Sequence, residues 1–119
     1  MKVVIAENNE DMAEAIRALL TRDGQFEVVA VVSTADEVLK EIAESRPALV
    51  ILDHFLSGGE TGIQLAPKLK AASPNTRVLI FSGYDVSMEA EREPAVDSYL
   101  PKGTIRDLIA FLQLQLAER

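Results

Sequence analysis

The chain has 119 residues, which fits one domain over residues 1–119, and roughly two thirds of its unfolded surface would be buried in a core. It contains no cysteine, which excludes disulfides, thiol catalysis and zinc–thiolate sites and leads us to expect a cytoplasmic protein. The formal net charge of −7 argues against direct binding to nucleic acid, and the apolar runs are too short to cross a membrane.

Five short apolar runs alternate with segments of helical period, and this alternation predicts a parallel sheet with crossover helices. All but the last run are almost continuously apolar, which is typical of strands covered by helices on both faces. We therefore predict an α/β fold: a doubly wound five-stranded parallel sheet, order 2-1-3-4-5, in a flavodoxin-like three-layer sandwich. The predicted strands are Lys2–Ala6, Phe26–Val32, Ala48–Asp53, Arg77–Ser82 and Asp97–Pro101.

The first two helices have clear start and stop signals. The first is predicted at about Glu10–Arg22, with Gly24 as its stop. The second begins near Ser33 or Thr34, because Thr34 and Glu37 have the spacing of a capping box. It ends before the Arg46-Pro47 dipeptide.

The other three helices are less regular. Pro67 lies inside the third, near Thr61–Ala72, and should kink or restart it because proline removes a helical hydrogen bond. The segment Asp85–Pro94 has no convincing apolar stripe, so we expect an irregular or shortened fourth helix. The fifth is predicted from Thr104, where Thr104 and Asp107 repeat the capping pattern. Its apolar stripe is Ile105, Leu108, Ile109, Leu112 and Leu116.

Polar residues follow three of the predicted strands. Asp53, Ser82 and Lys102 stand at the ends of the third, fourth and fifth apolar runs. Because the carboxyl ends of parallel strands share one edge, where open α/β sheets bind ligands, we expect these side chains to converge. A carboxylate beside an ammonium and a hydroxyl suits the acceptance of a phosphoryl group, whose oxygens need cations and hydrogen-bond donors.

A magnesium ion would supply further positive charge at such a site, and Mg²⁺ prefers oxygen ligands. Glu7, after the first strand, is the best acidic candidate besides Asp53, and the backbone carbonyl of Phe55 offers a neutral oxygen. Asn8 stands where a second carboxylate would help most. We interpret His54, the only histidine, as structural and facing a helix or solvent.

The ordered segments at residues 3–8, 47–53, 58–62, 78–84 and 98–102 resemble those of a response regulator receiver domain, and the resemblance covers essentially the whole chain. Residues 26–30 with 46–47 are most similar to receivers that precede a helix-turn-helix output domain. The resemblance implies that Asp53 is the phosphoacceptor and that Ser82 and Lys102 contact the phosphoryl group. It also places Glu7 in the acidic pair that binds Mg²⁺.

By the same resemblance, the phosphoryl donor is a histidine kinase or a phosphotransfer protein, and the domain is regulatory rather than an enzyme. Phosphorylation in this family reshapes a face made by the fourth helix, the fifth strand and the fifth helix, with Tyr99 as the aromatic switch residue. That face would act on a downstream protein or on an output domain beyond Arg119.

Where the family has a second acidic residue this chain has Asn8, which we expect to weaken Mg²⁺ binding by roughly tenfold or more. Glu10 or Asp11 could compensate. The alternative is a pseudo-receiver, a protein-binding module that works without phosphate. A flavin-binding electron carrier shares the predicted fold, but acidic residues in its first loop would repel the flavin phosphate. Leu114, opposite the core stripe, could support a homodimer.

Overall fold

Strands and helices alternate along residues 1–117, which the computed structural model describes, the side chains of Thr104, Leu116 and Ala117 excepted. The strands are β1 (Lys2–Ala6), β2 (Glu27–Val32), β3 (Leu49–Leu52), β4 (Arg77–Ser82) and β5 (Ser98–Pro101). The helices are α1 (Glu10–Asp23), α2 (Ala35–Ser45), α3 (Gly62–Ala72), α4 (Ser87–Arg92) and α5 (Leu108–Ala117). None of the helices in this part of the chain is long and apolar enough to span a membrane.

The strands form one parallel sheet in the order β2-β1-β3-β4-β5, which confirms the predicted fold class. The register aligns the carboxyl ends of the strands: Ala6 pairs with Leu52, and Leu52 pairs with Ile80. Residues that follow these strands therefore lie at one edge of the sheet.

Alternate residues of the strands face two separate apolar layers, as a sheet covered on both sides requires. In β1, Val3 and Ile5 belong to the layer that contains α1 and α5, whereas Val4 and Ala6 belong to the layer that contains α2, α3 and α4. The largest fully buried side chains come from both layers and include Phe81, Ile16, Leu20, Ile42, Leu65, Leu69 and Leu108. This core fixes the positions of the strand ends.

The predicted signals bound the first two helices. Gly24 ends α1 with a left-handed φ of 81°, a conformation that glycine adopts without steric cost. At the start of α2, the Glu37 N–H donates to Thr34 Oγ1 at 3.2 Å and the Thr34 N–H donates to Glu37 Oε1 at 3.2 Å. The capping box is thus confirmed. The hydrogen bond that the Thr34 hydroxyl donates to Glu37 Oε1 at 3.0 Å, followed by the bond from the Ser33 N–H, lowers the pKa of the Glu37 carboxyl.

The later helices depart from prediction in two places. α3 is one continuous helix through Pro67, so the predicted restart is wrong. A second capping box, between Thr61 and Gln64, and the burial of Leu65 and Leu69 offset the single hydrogen bond that proline removes. α4 has only six residues and no side-chain cap, which confirms a shortened fourth helix.

The fifth helix does not begin at Thr104. Residues 102–107 form a 3₁₀ helix, and α5 begins at Leu108. The capping role of the Thr104 side chain and the place of Leu116 in the stripe lie outside the described side chains. The rest of the stripe packs as predicted, with Leu108 and Leu112 buried.

A polar network that is buried at Ser73 and Thr76 joins the opposite, amino-terminal edge of the sheet. Thr76 Oγ1 donates to the Pro47 carbonyl at 2.7 Å and lies 2.7 Å from Ser73 Oγ. Lys70 Nζ donates to the Thr76 carbonyl at 2.8 Å and to Asp97 Oδ2 at 2.7 Å. The network thereby links the turns before β3, β4 and β5.

We expect Thr76→Val to lower the free energy of unfolding by about 1–2 kcal/mol, because it leaves the Pro47 carbonyl buried without this donor. Urea denaturation measures the change. Thr21→Val, at an exposed position of α1, is the matched control. An equal loss in both variants would contradict the assigned role of the network.

Candidate functional site

Two buried carboxylates and one ammonium meet where β1, β3 and β5 end. Lys102 Nζ lies 2.6 Å from Glu7 Oε1 and 3.2 Å from Asp53 Oδ2. Glu7 is 4% exposed and Asp53 is 6% exposed. Three residues that are remote in the sequence therefore share one ion-paired cluster, which we call the acidic pocket.

The acidic pocket keeps one uncompensated negative charge when both carboxylates are ionised. Burial raises the pKa of the Glu7 carboxyl, the hydrogen bond from Lys102 opposes that rise, and the charge of Asp53 adds to it. Asn9, which the sequence analysis did not single out, orients Glu7: its N–H donates to Glu7 Oε2 at 3.0 Å. The Asn9 side chain also accepts the Met12 N–H at 2.9 Å and so caps α1.

Ser82 lies at the end of β4 and is 1% exposed. Its Oγ accepts a hydrogen bond from the Tyr84 N–H at 3.1 Å. The Tyr84 carbonyl accepts another from the Tyr99 hydroxyl, also at 3.1 Å. Ser82, Tyr99 and Lys102 line one depression of about 380 Å³. Among the described residues Ser82 has no hydrogen bond to Asp53, so it adjoins the acidic pocket without joining its ion pairs.

The two remaining predicted metal ligands lie around the acidic pocket. Asn8 is exposed and lines a depression of about 270 Å³ together with Glu7. Phe55 is 48% exposed, and its N–H approaches Asp53 Oδ1 at 3.4 Å. The donor set of two carboxylates, an amide and a carbonyl consists of oxygen atoms and fits Mg²⁺.

This donor set is poor in negative charge. Within residues 1–117 no group of three or more His, Cys, Asp or Glu side chains is arranged to hold a metal ion. Glu10 and Asp11 stand exposed in the first turn of α1 and do not join Glu7 and Asp53 in such a group. A divalent ion would therefore meet only two carboxylates, and Lys102 already neutralises part of their charge.

Gly62, at the first position of α3, holds the loop after Asp53 against the helix. A Cβ at this position would lie 2.6 Å from the Asp53 carbonyl oxygen and 3.2 Å from the His54 Cα. The Gly62 N–H donates to the His54 carbonyl at 2.7 Å. The sequence placed Gly62 in a glycine-rich turn, but this close approach depends on how the strand and helix pack in three dimensions.

Three aromatic rings stack edge to face beside Asp53. The His54 and Phe55 ring centroids are 4.6 Å apart, and those of Phe55 and Tyr84 are 5.0 Å apart. His54 is 8% exposed, so it is buried rather than solvent-facing, and burial lowers its pKa against the opposing charge of Glu89. Its Nδ1 has no partner among the described residues, which fits a packing role for the ring.

A parallel sheet in this strand order, with a buried aspartate facing a lysine at its carboxyl edge, is the arrangement of a receiver domain. The chain belongs to the response regulator receiver domain family, whose model matches residues 3–113. Receiver domains of this family are regulatory modules of two-component signal transduction.

The relatives fit the predicted similarity to regulators with an output domain. The oxygen regulatory protein NreC of Staphylococcus epidermidis is 31% identical over 85 residues, which are 71% of this chain and 39% of NreC. The chain thus spans about two fifths of that relative. A DNA-binding response regulator of the LuxR family from Staphylococcus aureus is 26% identical, with a TM-score of 0.83 and coverage of 94% of this chain and 95% of that one.

A further solved structure supports the fold alone. The two-component response regulator of the LuxR family from Aurantimonas sp. SI85-9A1 is 23% identical and has a TM-score of 0.88, with 99% of this chain and 86% of that chain covered. The likeness extends over all five strands and the helices between them, which agrees with the observed sheet order.

Proposed function

We propose that this domain is a phosphorylation switch that accepts a phosphoryl group on Asp53 from a histidine kinase or a phosphotransfer protein. The observation that carries the proposal is the position of Lys102 Nζ, within bonding distance of both buried carboxylates. A cation held there offsets the repulsion between an approaching phosphoryl group and the carboxylate that receives it.

In the transfer, an Asp53 carboxylate oxygen bonds to phosphorus, the bond from phosphorus to the donor imidazole nitrogen breaks, and the imidazole leaves with that electron pair. Lys102 then contacts the acyl phosphate in place of the free carboxylate. Glu7, Asp53, Asn8 and the Phe55 carbonyl are the residues that would hold Mg²⁺, which supplies positive charge to the transferred group when bound.

The conformational change would spread from the acidic pocket to the output face through Ser82 and Tyr84. When Ser82 Oγ turns toward the phosphoryl oxygens, it loses the Tyr84 N–H that it accepts in this structure. The Tyr84 carbonyl holds the Tyr99 hydroxyl, so a shift of Tyr84 repositions Tyr99 on β5. Tyr99 borders α4 in a depression of about 320 Å³, on the face that we assign to output.

Beryllofluoride tests the proposal, because it mimics the acyl phosphate only where the aspartate and the metal are both in place. With Mg²⁺ present, we expect beryllofluoride to shift the amide resonances of Ser82, Tyr84 and Tyr99. Unchanged spectra at millimolar Mg²⁺ would contradict the switch and favour a pseudo-receiver that binds its partner without phosphate.

We expect Asn8→Asp to increase the affinity for Mg²⁺ by about tenfold or more, because it adds a formal charge beside the two carboxylates. A Mg²⁺ titration followed by amide resonances measures the change. Asn75→Asp adds the same charge in the exposed turn before β4, at the opposite edge of the sheet, and is the control. An equal gain in both variants would point to general electrostatic attraction instead.

We expect Phe55→Asn to shorten the lifetime of the acyl phosphate several-fold. Phe55 packs against the rings of His54 and Tyr84, and this apolar cover limits the approach of water to Asp53. The decay of the phosphorylated protein measures the effect. Met88→Asn removes another exposed apolar side chain, on α4, and should leave the lifetime unchanged. A lifetime that Phe55→Asn does not alter would refute the protective role of the ring.

A further inference from the structure

The outer edge of β2 carries a bulge, one of the features that protect a sheet edge, but it lacks two others, lysine and proline. Within the described residues β2 pairs only with β1, and Val3 pairs with Val28 while Val4 pairs with Ala30, so Val29 forms a bulge. The strand from Glu27 to Val32 contains no lysine or proline, the residues that most often block edge pairing. Past the bulge, Val31 is 43% exposed.

Backbone groups at this edge are available to a partner strand. The Glu7 N–H donates to the Val32 carbonyl at 2.9 Å, so Val32 directs its backbone toward β1. Neighbouring residues of a strand present their N–H and C=O groups to opposite sides. Val31 therefore directs its N–H and C=O away from the sheet, which is what strand addition requires.

Acidic side chains flank the edge on both sides. Three adjoining depressions of about 270, 280 and 260 Å³ follow it, and each is lined by Val31, Val32 or both. Glu7, which follows β1, lines the first of them, and the other carboxylates come from α1 on one side and α2 on the other, namely Glu10, Glu14, Glu37, Glu41 and Glu44. The cations in the same lining are Arg17, which pairs with Glu14 at 3.7 Å, and Lys40.

We propose that this β2-edge surface, made by Val31, Val32, Glu10, Glu14, Glu37 and Glu41, binds an extended, lysine- or arginine-rich segment of a partner protein. The segment adds to β2 as a strand. Its backbone pairs with Val31, its apolar side chains cover the exposed valine, and its cations face the carboxylates of α1 and α2.

A second copy of this chain does not fit the β2-edge surface. Two such edges would bring the same glutamates face to face, and like charges across an interface oppose association. The charge that disfavours self-pairing favours a basic segment. The proposal does not need phosphoryl transfer, because it uses neither Asp53 nor Lys102, although Glu7 and Asn8 line the same depression as Val31 and Val32.

The test is an amide-resonance titration of the whole chain, without Mg²⁺ or beryllofluoride, using a peptide of alternating lysine and valine. We expect shifts concentrated at Val28–Val32, and weaker binding as salt is added. A peptide of alternating glutamate and valine should cause none. An absence of shifts with the basic peptide at millimolar concentration, equal shifts with both peptides, or shifts centred on another surface would each overturn the proposal.

Two variants locate the interaction. Val31→Lys adds a like charge to the edge and should weaken binding of the basic peptide at least about tenfold. Met88→Lys makes the same change at an exposed apolar residue of α4, beyond the other end of the sheet, and should bind like the unaltered chain. Equal weakening in both variants would overturn the assignment to β2. Self-association that depends on protein concentration and that Val31→Lys abolishes would also overturn the proposal, because a second copy of the chain would then occupy the edge.

Discussion

Asp53→Asn is expected to reduce phosphoryl incorporation to the background of the assay. The substitution keeps the shape of the side chain but removes the charged oxygen that attacks phosphorus. Lys102 keeps Glu7 as a partner at 2.6 Å, so the acidic pocket should remain folded. Intact-mass measurement after incubation with acetyl phosphate or a phosphorylated histidine kinase gives the readout.

Asp36→Asn is the matched control, because Asp36 is exposed in the first turn of α2. Its incorporation should equal that of the unaltered chain. Incorporation that persists in Asp53→Asn, with the phosphoryl group on another residue, would contradict the assignment of Asp53. Loss in both variants would show that the assay responds to net charge.

Gly62→Ala is expected to lower the free energy of unfolding by about 2–3 kcal/mol, although alanine favours helices. The new Cβ would lie 2.6 Å from the Asp53 carbonyl oxygen, and the three atoms nearest to it all belong to the backbone. The 2.7 Å hydrogen bond from the Gly62 N–H to the His54 carbonyl opposes a movement of α3 away from this loop. Either α3 or the loop that carries Asp53 must move, so we also expect slower phosphorylation.

Gly103→Ala separates this steric effect from a general effect of replacing glycine. A Cβ on Gly103 meets nothing within 4 Å, so the control should be neutral or slightly stabilising. Urea denaturation of the two variants measures both changes. A Gly62→Ala protein as stable as the Gly103→Ala protein would show that the strand and helix can separate at no cost.

The sheet was predictable because its determinants are local. Continuous apolar runs mark strands buried on both faces, and the Thr34–Glu37 and Gly24 signals act within one helical turn. Pro67 does not restart the helix, because its local cost is offset by tertiary burial of Leu65 and Leu69, which a helix pattern alone does not weigh. The 3₁₀ segment at residues 102–107 was not predicted, because the Thr104–Asp107 spacing indicated the start of an α-helix and no sequence signal distinguished the two.

At the candidate site, residue types at strand ends were enough to predict which ionic groups meet, since parallel strands fix that edge. The Lys102 ion pairs follow directly from this rule. Three other features of the site could not be predicted from this rule, because each depends on loop paths that sequence spacing leaves undetermined. They are the hydrogen bond from Asn9 to Glu7, the burial of His54 and the close approach of Gly62 to Asp53.

Tyr84 contributes to this domain in two separable ways. Its ring covers Phe55, whereas Ser82 and Tyr99 bond only to its backbone N–H and carbonyl. The persistence of a signal and its transmission would thus depend on different parts of one residue. Substitution of the side chain at this position could shorten or prolong the response while the backbone hydrogen bonds to Ser82 and Tyr99 are kept. Proline is the exception, because it has no N–H to donate to Ser82.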